Sequence, residues 1–275
     1  MNLAHSAILT VVTNPWQVGV MKSTRDKGRA LVTGASRGIG LAVAQRLSAE
    51  GLSVALCARS RDELEQAAAQ CPGPTMVLPA DVTAPGAADE LFTAVEQAWG
   101  GVDVLVANAG AGSSAPLHRI TDADWQRMLE LNLTAPFRCV RRAVPGMIDR
   151  GHGRIILLAS IAAKRGEPYI AAYTASKHAA LGLIRSAAAE LAGTGVTANA
   201  VCPAYVDTPM TETTVGTIAR RTGRTAADTR ATLAAKQPIG RLITPAEVAE
   251  AVWFCVANGA VNGQGINVDG GTVQS

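Results

Sequence analysis

Thr33-Gly34-Ala35-Ser36-Arg37-Gly38-Ile39-Gly40 stands between a short apolar run, residues 30–33, and a stretch of helical pattern, residues 39–50. An apolar run that breaks into closely spaced glycines and then resumes as a helix is a strand–turn–helix unit. The glycines allow a tight turn and a close backbone approach, and the helix start offers unbonded N–H groups to a pyrophosphate. The bland alternative is a Gly-rich turn with no ligand, so the rest of the chain has to decide.

Outward from that turn, strand and helix alternate. Apolar runs at 53–58, 75–80, 102–107, 154–159, 196–202 and 265–268 read as six further strands. Helical patterns occupy 61–70, 87–99, a long segment after Thr121, 172–192 and 245–257. Thr121 and Asp124 read as a capping box at the start of the long helix. Strands that are apolar throughout, rather than alternating, are covered by helices on both faces. The expected fold is therefore α/β, doubly wound and Rossmann-type, with a parallel sheet of about seven strands. Residues 204–237 break the rhythm: they are polar and Thr-rich, with helical character at 225–236. No internal repeat or linker divides the chain. Residues 29–275 read as one oxidoreductase domain, and residues 1–28 as a flexible or surface-lying extension, with Met21 a second candidate start.

Composition narrows the partners. The chain has 275 residues, 48% hydrophobic but only 4% aromatic, with a net charge of +3. That balance argues against nucleic-acid and membrane partners. No apolar run approaches the ~18–20 residues needed to span a bilayer. The five cysteines, an odd number without a C-x-x-C pair, suit free thiols in a reducing cytoplasm and give no metal site. Arg220, Arg221, Arg224 and Arg230 read as a solvated helix face, with contact to an anionic substrate tail as the alternative.

The glycine spacing, G-x-x-x-G-x-G, resembles the fingerprint of the classical short-chain dehydrogenase/reductase family, and the resemblance extends over residues 29–271. Ser160 and the Tyr173-x-x-x-Lys177 pair match the family's catalytic pattern, and Asn132 matches its fourth member. The resemblance implies that Gly34, Ser36, Arg37, Gly38, Ile39 and Gly40 hold the dinucleotide. It further implies that Asn108-Ala109-Gly110 lines the adenine-ribose side, that Asp81-Val82 meets the adenine, and that Pro203, Val206 (through backbone) and Thr208 meet the nicotinamide carboxamide. Tyr173 and Lys177 would touch the cofactor as well. Ala204 stands where the family usually has Gly, which puts the path of that loop in question.

Ala58 ends the second strand where an acidic residue would accept a ribose 2′-OH, and Arg59 and Arg37 stand nearby. Two guanidinium groups favour a 2′-phosphate, so NADP(H) is expected over NAD. In ketone reduction Ser160 would hydrogen-bond the substrate oxygen and Tyr173 would donate the proton. A free phenol has a pKa of ~10, and the Lys177 ammonium together with the nicotinamide cation is expected to lower it. Asn132 would hold a water that relays protons towards the lysine.

The endings Gln237-Pro238-Ile239-Gly240-Arg241 and Asn267-Val268-Asp269-Gly270-Gly271 resemble the 3-oxoacyl thioester and polyketide ketoreductase branches. Relatives that act on carrier proteins dock them with basic helix residues, and the two compared positions hold Pro145 and Ala189. A 3-oxoacyl-CoA-type substrate is therefore the first expectation. A secondary-alcohol dehydrogenase acting on a sterol, sugar or aromatic ketone is the alternative, and a non-catalytic nucleotide sensor is the remote one. The family resemblance also implies a homotetramer, or at least a dimer, with the segment 205–237 as a lid.

Overall fold

The structure is a computed structural model and describes residues 28–274. The expected extension therefore lies, but for its last residue, outside the described residues. Seven strands form one sheet: β1 (Arg29–Thr33), β2 (Ser53–Ala58), β3 (Thr75–Pro79), β4 (Val104–Ala107), β5 (Gly153–Leu158), β6 (Val196–Pro203) and β7 (Gly265–Val268). The order is β3-β2-β1-β4-β5-β6-β7 and every pairing is parallel. The expected doubly wound α/β sheet is present.

The apolar strands split their side chains between two cores. Leu31, Leu105, Ile155 and Leu157 face one side. There they meet α3 (Ala87–Trp99), α5 (Ala135–Asp149) and α6 (Ala171–Glu190) through Phe92, Met147 and Ile184. Val32, Val106, Ile156 and Leu158 face the other side. These pack on α1 (Gly38–Ala49), α2 (Arg61–Ala68) and α9 (Pro245–Ala257) through Leu47, Leu64 and Val252. Strand order reverses between β1 and β4, which opens a crevice at the carboxyl ends of those strands, where open α/β sheets take ligands.

Three local features differ from the sequence reading. The helix after Thr121 is two helices, α4 (Asp122–Leu129) and α5, joined by a π-helical turn at Glu130–Thr134. The Thr121 hydroxyl accepts the Asp124 N–H, but the Asp124 carboxylate takes that hydroxyl's proton rather than reaching back to the backbone. The aspartate is one methylene shorter than the glutamate that completes the reciprocal pair at Thr244 and Glu247 in α9.

The third is a helix that the composition hid. The polar stretch after β6 forms α7 (Pro209–Thr222) before the expected α8 (Ala226–Ala235). Inside α7 Thr213, Thr214, Thr217 and Thr222 each satisfy their hydroxyl on the carbonyl four residues back, and Thr208 and Pro209 start the helix while Gly223 ends it. Ala204 has no positive φ, and its N–H bonds the Val268 carbonyl, so the residue in place of glycine fits without backbone strain.

Candidate active site

The Gly-rich turn is held from beneath by the end of β4. Asn108 Nδ2 donates to the Thr33 and Gly34 carbonyls at 2.9 and 3.0 Å. The Thr33 hydroxyl accepts the N–H groups of Asn108 and Ala109 at 3.0 and 3.1 Å. This closeness explains the glycines. A Cβ on Gly40 would lie 2.1 Å from the Gly34 oxygen, and one on Gly34 would lie 2.8 Å from Asn108 Nδ2. Gly34 and Gly38 also have φ of +67° and +58°. Arg37 precedes α1 without a side-chain cap, so the first N–H groups of that helix face the turn free of one. A tight backbone cradle and a bare helix N-terminus fit a pyrophosphate. Asn108 thus shapes the turn, a role the resemblance had not given it.

At the far corner Ser36 donates to Glu63 at 2.9 Å, and Arg37 stands 3.9 Å from the same carboxylate. Asp81 is held below its ordinary carboxylate value by the Thr83 hydroxyl and N–H, with a smaller contribution from the charge of nearby Arg59. Both arginines are exposed. Val82 turns its side chain into the core. Sequence reasoning missed Glu63, although its place in the first turn of α2 is the kind of position where such residues sit.

One cleft gathers Ser160, Tyr173 and Lys177 with Ile39 of the turn, Gly110, Pro203 at the end of β6, and Val206 and Thr208 beyond it. Ser160 follows β5, accepts the Ala162 N–H at 3.1 Å, and hydrogen-bonds the Tyr173 side chain. Tyr173 and Lys177 lie one turn apart on α6, with the ammonium 5.8 Å from the ring centre. Lys177 Nζ donates to the Leu158 carbonyl at 2.7 Å. Burial pulls its value down to about 8. Burial also pushes the Tyr173 phenol above its ordinary value, against a smaller lowering by Ser160. In the chain alone the ammonium is turned to β5 and desolvation dominates, whereas the expected lowering by Lys177 and the nicotinamide cation concerns the cleft with cofactor bound. A phenol that stays protonated is the form that gives a proton.

Asn132 is fully buried in the π turn and does not line the cleft. Its amide accepts the Ala111 N–H at 3.1 Å and donates to the Ala111 carbonyl at 3.0 Å. It also donates to Ser176 at 3.2 Å, and the Ser176 hydroxyl bonds the Tyr173 carbonyl at 2.7 Å. Asn132 thereby ties the wall beside Gly110 to the helix that carries Tyr173. Sequence reasoning did not find Ser176, whose partners are 44 and 3 residues away.

Thr208 caps α7, and its methyl would stand 3.3 Å from a Cβ on Gly38, so the start of α7 closes over the turn. Val206 bridges Ile243 in parallel, and its carbonyl takes the Thr211 hydroxyl. Met210 and Thr211, neither singled out by sequence, also line the cleft.

The family model described as short chain dehydrogenase matches residues 28–218. The 3-oxoacyl acyl-carrier-protein reductase MabA of Mycobacterium tuberculosis is 40% identical over 245 residues, which are 88% of this chain and 91% of that protein. The cis-4-hydroxycyclohexanecarboxylate dehydrogenase of Sinomonas cyclohexanicum is 38% identical over 247 residues, covering 88% and 95%. A variant of actinorhodin polyketide ketoreductase solved with NADPH superposes with a TM-score of 0.86 at 37% identity, over 91% of this chain and 99% of that one. The chain belongs to the short chain dehydrogenase family.

Proposed function

We propose that this protein is an NADPH-dependent reductase of 3-oxoacyl thioesters. The observation that carries the reading is the single cleft in which Ser160, Tyr173 and Lys177 meet the Gly-rich turn and the segment 203–208. Gly34, Gly38 and Gly40 with the start of α1 would hold the pyrophosphate, and Arg37 and Arg59 a 2′-phosphate. Bound NADPH supplies the reducing equivalent. Ser160 orients the carbonyl by donating to its oxygen. Tyr173 gives its proton to that oxygen as negative charge develops. Lys177 holds the cofactor side of the cleft and restores the proton. In the alcohol-oxidising direction Tyr173 is the base.

The named relatives act on a carrier-bound 3-oxoacyl group, a polyketide and a ring alcohol. A carrier-bound thioester therefore joins the CoA thioester as a candidate, and a ring ketone is the second reading. A nucleotide sensor would have no use for a tyrosine and a lysine in the nucleotide cleft. NADPH oxidation followed by absorbance, with 3-oxoacyl-CoA, 3-oxoacyl-carrier and ring-ketone substrates, tests this. Turnover of the thioesters supports the proposal, and turnover of ring ketones alone replaces it with the second reading.

We also propose a cytoplasmic homotetramer or dimer formed by one domain. Exposed Trp125, Phe137 and Ile148 on α4 and α5, and the position of β7 at the edge of the sheet, support the assembly. Five unpaired cysteines suit the compartment. No described helix is long and apolar enough to cross a membrane. Light scattering that returns a monomer at micromolar concentration would remove the assembly.

A further inference from the structure

Among the described residues, Tyr169 is the one non-glycine residue with positive φ, at +70°. An aromatic residue resists that left-handed conformation, which glycine or asparagine would adopt at lower cost. The ring gains little burial in return, since 65% of the residue is exposed. Strain of this kind, unrelieved within the free chain, marks places where geometry serves a ligand. The position is telling: Tyr169 lies four residues before Tyr173, in the loop that leads into α6. Its turned carbonyl accepts the Ala115 N–H at 2.8 Å, which pins this loop to the one after β4.

Two more large apolar side chains are exposed, one shortly after the loop pinned to Tyr169 and one in the cleft. Leu117, 76% exposed, stands two residues beyond Ala115. Met210, 50% exposed, already lines the cleft that holds Tyr173. The loops that carry Tyr169 and Leu117 run on from cleft residues Tyr173 and Ala111, four and six positions away, and Met210 lines the cleft itself.

We propose that Tyr169 determines substrate specificity. Its ring, with Leu117 and Met210, forms an apolar mouth that takes the extended acyl chain beyond the reacting carbonyl. The left-handed turn holds the ring over the opening. This rests on the reading of the cleft as the carbonyl-reducing site.

The test compares 3-oxodecanoyl with 3-oxobutanoyl N-acetylcysteamine thioesters, and 1-decalone with cyclohexanone, using wild type, Tyr169→Phe, Tyr169→Ala and Tyr169→Gly. Tyr169→Gly removes both ring and strain, Tyr169→Ala removes the ring alone, and Tyr169→Phe keeps the ring. The large-to-small ratio of kcat/KM should fall at least about tenfold in both ring-less variants and be kept by Tyr169→Phe. Thermal melting should rank Tyr169→Gly above Tyr169→Ala, because glycine tolerates the turn. An unchanged ratio in both ring-less variants overturns the proposal. So does a ratio lost in Tyr169→Ala but kept in Tyr169→Gly, which would trace the effect to backbone. The plain ketones keep the outcomes separate: an enzyme that reduces them and no thioester refutes the thioester reading while the Tyr169 ratio is still measured.

Discussion

The Lys177 ammonium is anchored to the Leu158 carbonyl at 2.7 Å, so a buried cation joins the end of β5 to the second turn of α6. Burial brings its value to about 8, below the ordinary 10.5. A lysine lowered on folding opposes stability most fully below pH 8, where the folded group must hold a charge. That penalty fades as pH rises from about 8 to 10.5. Buried Cys57, Cys139 and Cys255, pushed up to about 12, 11 and 11 from 9.0, act in the opposite direction above pH 9. They are common to wild type and Lys177→Met, so the difference between the two proteins isolates the lysine. Urea unfolding from about pH 7 to about pH 9.5 should show wild type gaining on the variant as pH rises. A constant difference would contradict the lowered value.

Asn108→Ala should loosen the Gly-rich turn. It removes two bonds to the Thr33 and Gly34 carbonyls. Each is worth about 0.5–1.5 kcal/mol net, so roughly 1–3 kcal/mol of stability should be lost. Calorimetry should also show weaker NADPH binding. Gly40→Ala should be harsher, because its methyl would meet backbone 2.1 Å away, with no flexible side chain to yield. A Gly40→Ala protein that folds and binds NADPH like wild type would refute this packing.

Glu63 holds Ser36 and faces Arg37 at the corner assigned to the 2′-phosphate. Its negative charge should oppose that phosphate and occupy groups that would greet it. Glu63→Gln should therefore raise the NADPH over NADH preference in kcat/KM by about twofold to fivefold, the scale of an exposed charge pair. Arg59→Asp should reverse or erase the preference. A Glu63→Gln enzyme whose preference falls would place the 2′-phosphate elsewhere.

Most of the architecture was legible because its signals are local. Uniformly apolar strands between glycines and helical patterns specify a parallel sheet, and Gly34, Gly38 and Gly40 mark its first crossover. The α7 helix was not legible, since threonine, branched at Cβ, is a poor helix former and its run reads as loop. Its flanks did carry a signal, the Thr208-Pro209 start and Gly223 at the end. At the site, Tyr173 and Lys177 share a helix face and could be paired by spacing. The roles of Ser176, Glu63 and Asn108 depend on partners 27 to 75 residues away, which local pattern does not bring together. The raised Tyr173 value of the chain alone was not legible for the same reason: charge proximity can be guessed from spacing, whereas desolvation belongs to the folded cleft.

The central claim is that Tyr173 gives the proton. Its ring volume is kept in Tyr173→Phe, so folding and NADPH affinity should stay near wild type, and the Ser160 hydrogen bond is lost with the hydroxyl. The direct measurement is kcat for NADPH-dependent reduction of a 3-oxoacyl thioester by Tyr173→Phe, alongside NADPH affinity by fluorescence. The account predicts a kcat lowered by at least about 10²–10⁴-fold with affinity nearly unchanged. A Phe variant that turns over at close to the wild-type rate would contradict it, and would mean that another group supplies the proton.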